Sequence, residues 1–137
     1  MILRVSFEEI TTLNTAAERV LAVSGGGRVM APPEALAELA ARLPLGGDIS
    51  VHTLGQQNRL LRAVDTILSH MKRQMDEIIV DQYVGSDDAV NAYFDYANVL
   101  AVRSRLQGMG REMAALLEVM LDGPPSPEDI ETISFPD

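Results

Sequence analysis

His70, Gln74 and Glu77 follow one another at helical steps of four and three, which sets all three on one side of a helix. Asp95 and Asn98, thirty residues downstream in round terms, can approach that side from a neighbouring helix, and a mixed nitrogen and oxygen set of this kind is what a divalent cation needs. His70, Glu77 and Asp95 are therefore the nearest approach to metal ligands. They fall short of a site, because carboxylate-bridged bundles repeat a Glu-x-x-His pair on facing helices and no such pair occurs. The other histidine, His52, stands at a helix start with no matching ligand. The expectation is no metal and no cofactor.

A second constellation is electrostatic. No cation lies between Lys72-Arg73 and Arg103, and the interval holds Asp76, Glu77, Asp81, Asp87, Asp88 and Asp95. All three tyrosines, Tyr83, Tyr93 and Tyr96, fall in the same interval together with Phe94. Aromatic rings with a polar tip are favoured where one protein recognises another. Asp81, Tyr83, Asp87, Asp88, Tyr93, Phe94, Asp95 and Tyr96 are thus the candidate partner-binding residues. On either side of them lie Arg59, Arg62, Arg103, Arg105 and Arg111, a basic shaft that a second copy's acidic tip would approach.

Catalytic templates fail. The chain has no Gly-x-Ser-x-Gly elbow and no Gly-x-x-x-x-Gly-Lys loop, and Gly25-Gly26-Gly27 lacks the strand and helix that a dinucleotide site places around its glycines. Cysteine is absent, which removes thiolate nucleophiles, thiolate metal sites and disulfides together. Adjacent acids such as Asp76-Glu77 do not face each other across a substrate. The chain does not read as an enzyme, and no catalytic residue is expected.

The elements that would carry these residues are long helices. Leu54, Leu61, Val64, Leu68, Met71, Met75 and Ile78 recur at three- and four-residue steps, as do Val99, Val102, Leu106, Met109, Met113, Leu116 and Met120. Such spacing makes a narrow apolar stripe, the seam of packed helices. Thr53 with Gln56 forms a capping box, Gly85 ends the first helix, and Ser86-Asp87-Asp88 starts the second. The fold is expected to be mainly α, a long antiparallel hairpin over 53–122. Short N-terminal helices and a minor strand over 1–47 accompany it, including a Ser6/Glu9 capping box, an apolar stripe from Ile10 to Leu21, and a helix from Pro33 to Leu43. Residues 1–123 form one helical domain. Residues 124–137 read as a proline-rich linker and acidic tail, with one helical turn at Ser126 and an extended Thr132 to Phe135.

Helices of about 30 residues extend about 45–50 Å, beyond the roughly 37 Å diameter of a compact domain of this length. Leu60, Ile67, Ile79 and Val80 lie off the first stripe, and Phe94, Ala97, Leu100 and Ala101 do not continue the second. Two solutions bury the surplus: a homodimer completing a bundle, or a break at Gly108 or Gly110 that folds the second helix back. The dimer is preferred, with Leu61, Leu68, Met71, Met75, Leu106, Met109 and Met113 as seam candidates. Pairing about Gly85 would set Ala63 against Gly108. A net charge of −9 disfavours nucleic acid and anionic lipid as partners. No apolar run reaches membrane-spanning length and no secretory leader is evident, so a cytoplasmic protein is expected. The function expected is protein interaction as an adaptor, chaperone-like protein, scaffold or regulatory subunit; the alternative is a small-molecule- or metal-binding bundle.

Overall fold

The structure, a computed structural model, describes residues 1–23, 47–81 and 86–137. The triple glycine, the Pro33 helix, Tyr83 and Gly85 lie outside the described residues, as do the side chains of Leu21, Ile79, Val80 and Asp81. In chain order the elements are β1 (Ile2–Leu3), α1 (Phe7–Val23), β2 (Ile49–Ser50), α2 (Leu54–Asp81), α3 (Asp87–Leu121) and α4 (Pro127–Thr132). The expected fold class holds: α2 and α3 pack antiparallel along their length, α1 lies across both, and β1 pairs antiparallel with β2.

Local chemistry fixes the helix starts. Ser6 accepts from the Glu9 amide at 3.1 Å while Glu9 accepts from the Ser6 amide at 2.8 Å, closing the capping box of α1. At α2 the Thr53 hydroxyl accepts from the Gln56 amide, and the Gln56 side chain reaches one residue further back, to the His52 amide. Ser86 accepts from the Ala89 amide to start α3. At its far end α3 stops on Asp122, whose left-handed backbone (φ 53°) turns the chain. The Gly123 amide then donates to the Glu118 carbonyl.

The two seams meet inside one chain. Leu68, Met71 and Met75 of α2 and Leu106, Met109 and Met113 of α3 are buried, so they pair the helices of a single hairpin and are not free to form a seam with a second subunit. Leu61, the seventh candidate, is only half-buried against the same core. Its neighbours Leu60 and Ile67, off the expected stripe, are fully buried because α1 adds a second packing direction. The α3 stripe also drifts. After Met113 the buried residue is Leu117, while Leu116 and Met120 are exposed, since a 3.6-residue helix slips past a strict 3.5-residue repeat.

The glycines resolve differently from expectation. α3 runs unbroken through both, so the folded-back alternative is excluded. Gly108 faces open space and not Ala63. The close approach occurs at Gly110, where a Cβ would collide with the carboxamide of buried Gln57. That carboxamide donates to the Leu106 carbonyl at 2.8 Å, stitching α2 to α3. Asp65 and Arg103 make a second stitch at 2.5 Å.

The tail docks on the fold. Phe135 is buried and its amide donates to the His52 carbonyl, just beyond β2. Glu131 pairs with Arg59 at 2.8 Å. Phe7 is exposed because it opens α1 on the solvent side.

Candidate functional site

The acidic, aromatic interval is contiguous in sequence and divided in space. Each residue turns a helix by about 100°, so Asp88, Asn91 and Asp95 share one side of α3, and Val90, Tyr93, Phe94, Ala97, Leu100 and Ala101 share the other. The first side, itself exposed, lines a cleft; the second faces solvent.

The cleft, about 430 Å³, lies between α1, α2 and α3. α1 supplies Thr11, Thr12, Thr15 and Arg19, and α2 supplies His70 and Gln74 with an apolar floor of Met71, Met75 and Ile78. Of the weak metal candidates, His70 and Asp95 border this cleft and Glu77 does not. Among the described residues no group of three or more histidines or acids converges on one point. The His70 Nε2 atom is buried and makes no hydrogen bond. Burial holds the imidazole below its ordinary pKa of 6.5, reinforced by Arg73 and Arg19 and opposed by Glu77. His70 is accordingly neutral near pH 7. The α1 contribution was legible as a pattern, because Thr12, Thr15, Ala16 and Arg19 recur at helical spacing beside the Leu13 and Ala17 stripe. Nothing in the spacing told which helix that flank would meet.

On the outer side Phe94 is 67% exposed, and Val90, Tyr93 and Leu100 are each at least 40% exposed. Tyr96 sits between the two sides, half-buried against the core beside Leu68 and Lys72. Asp87 is exposed at the helix start next to the Ser86 cap.

The basic shaft is partly spent within the chain. Arg105 pairs with Glu9 and donates to the Arg4 carbonyl, Arg59 holds Glu131, and Arg103 holds Asp65. Among the described residues Arg62 and Arg111 make no ion pair. Glu9 is buried, which by itself raises its pKa. The Ser6 amide, the Arg105 guanidinium and the Ser6 hydroxyl outweigh that and hold it below its ordinary 4.5.

Comparison with protein-family models, curated protein sequences and solved structures gave no match. No helix among the described residues is long and apolar enough to cross a membrane.

Proposed function

We propose that the chain is a non-enzymatic protein-interaction module, and that its first partner is a second copy of itself engaged through the outer face of α3. The observation that carries this reading is the run from Val90 to Ala101, three helical turns whose solvent side holds no charge and exposes Val90, Tyr93, Phe94 and Leu100. Large exposed apolar residues in a continuous row mark interaction surfaces.

The outer face is also self-complementary. Its second half continues through Ser104, Gly108, Ala115 and Val119, the last 80% exposed. Two α3 helices crossing antiparallel at their midpoints would set Val90 against Val119, Phe94 against Ala115 and Ala101 against Gly108. Phe94 then meets a small side chain, the two valines meet like with like, and the smallest residues fall at the crossing, where two helices approach most closely. Arg111, without an ion-pair partner among the described residues, borders the same surface. A further protein would bind the assembled dimer at the aromatic rim.

Sedimentation equilibrium tests the reading. The wild-type chain is expected at twice its chain mass at micromolar concentration. Phe94→Arg and Ala101→Arg should be folded monomers, since both side chains point to solvent. A wild-type chain that stays monomeric throughout that range overturns the proposal.

A further inference from the structure

We infer that the cleft between α1, α2 and α3 binds a small zwitterion of the α-amino-acid type, with Arg19 receiving its carboxylate and Asp95 its ammonium. The inference uses the inner side of α3 and does not depend on self-association through the outer side.

Three features select this chemistry. The first is charge placed on opposite walls: Arg19 on α1 has no carboxylate partner among the described residues, and Asp95 on α3 makes no hydrogen bond or ion pair among them. A bare anion would meet Asp95 and Asp88, and a bare cation would leave Arg19 unpaired, so a ligand carrying both charges answers both walls. The second is the hydrogen-bonding inventory. Thr11 and Thr12 donate their hydroxyl protons to the Phe7 and Glu8 carbonyls at 2.8 and 2.9 Å, which leaves their oxygens as acceptors toward the cleft. Gln74 and Asn91 add carboxamide donors and acceptors. The third is the buried Nε2 of His70, a polar atom without a partner at the cleft wall. Buried polar atoms in native proteins are normally satisfied; this one has almost no accessible surface, so a ligand group meets it only with a shift of the His70 ring.

Size and floor narrow the class further. A cleft of about 430 Å³ lies within the usual range for small-molecule sites. Met71, Met75 and Ile78 line its base, and methionine adapts to apolar groups of varied shape. An amino acid with a compact aliphatic or thioether side chain therefore fits better than a polar one. A divalent cation does not, because the described acids and histidines do not converge.

The test uses the full chain and L-leucine, L-methionine and L-valine as probes, each beside its N-acetyl form and its methyl ester. Binding is read by isothermal titration and by NMR shifts of the His70 ring and the Met71 and Met75 methyls. The free zwitterions are expected to bind and to move those signals, and each single-charge derivative to bind at least about tenfold more weakly. Arg19→Gln and Asp95→Asn should lose affinity by a similar factor while circular dichroism and sedimentation match the wild type. Equal binding of the N-acetyl or ester forms overturns the inference, as does the absence of binding by all three free amino acids. Binding that persists unchanged in both variants places the site elsewhere and overturns it as well.

Discussion

The inner and outer sides of α3 between Asp88 and Ala101 differ as much as any two surfaces of the molecule, although their residues alternate along one stretch of chain. The inner side is polar, concave and built from three helices; the outer side is apolar, convex and belongs to α3 alone. Phe94 and Asp95 are sequence neighbours that point about 100° apart. A composition cluster therefore became two surfaces with two different chemistries: a cleft lined by polar and charged side chains inside, an exposed apolar row outside. Density of acids and aromatics along a chain is no guide to a patch until helical phase has been applied.

The contrast breaks most sharply if one substitution is made on both sides. Met113 is fully buried on the inner side and Phe94 is exposed on the outer. Met113→Glu puts an unpaired carboxylate into the core and is expected to destabilise the chain by about 3–5 kcal/mol, a large fraction of the roughly 5–15 kcal/mol that holds an ordinary domain folded. Phe94→Glu should leave the urea midpoint of the monomer within about 0.5 kcal/mol of wild type while weakening self-association. Equal loss of stability in both would mean that the outer side is part of the core.

The three phenylalanines sharpen the same point one step down in magnitude. Phe7 and Phe94 are 83% and 67% exposed, and Phe135 is 5% exposed. Phe135→Ala is expected to cost about 3 kcal/mol by urea denaturation, against less than about 0.5 kcal/mol for Phe7→Ala. A Phe135→Ala variant as stable as wild type would show that the tail is dispensable.

That tail also marks where sequence reading ran out. The hairpin, its seam, the Ser6/Glu9 capping box, the Thr53 cap and the turn of helix after Ser126 were legible because each depends on neighbours three or four residues apart. The docking of Phe135 beside His52, the Glu9 to Arg105 pair and the Gln57 to Leu106 bond join residues from 49 to 96 positions apart. No local period encodes such distances. The cleft was half visible: helical spacing groups His70 and Gln74 (with Glu77, which stays outside the cleft) and the hairpin brings Asp95 toward them, whereas Arg19 and the three threonines entered only when α1 crossed the hairpin. Arg59 and Arg105, available in sequence for contact with a second subunit, proved to be held by Glu131 and Glu9.

Two glycines test the comparison at finer scale. A Cβ at Gly110 meets the Gln57 carboxamide, so Gly110→Ala displaces a buried hydrogen bond worth about 1–3 kcal/mol while gaining about 1 kcal/mol in helix propensity. The net expectation is a loss of about 1 kcal/mol. Gly108 faces open space, and Gly108→Ala should raise monomer stability by about 1 kcal/mol. Since Gly108 lies at the proposed α3 crossing, the bulkier Gly108→Leu should keep the monomer fold and weaken the dimer. A lowered stability for Gly108→Ala would mean that its surroundings are closed.

The smallest effect expected is on pH dependence, and it too should come from the inner side. No acid, base or imidazole projects from the outer run between Val90 and Ala101, so that side contributes nothing between pH 4 and 8 as a matter of residue type. His70 is held below its ordinary 6.5, chiefly by burial and then by Arg73 and Arg19. The unfolded chain therefore binds the proton more readily than the folded one. His70's contribution to stability is complete above about pH 6.5, declines as the pH falls below that value toward the folded pKa, and changes no further beneath it. Glu9 acts in the next window. Its folded pKa lies below 4.5, so its contribution is complete above that value and is lost as the pH falls through the folded pKa. Melting temperature followed from pH 8 to pH 3 should show both declines in wild type. His70→Gln should flatten the upper one alone and Glu9→Gln the lower one alone. An unchanged slope below pH 6.5 in His70→Gln would show that the imidazole is as easily protonated in the fold as in the open chain, and the inner cleft would then be no drier than the outer face.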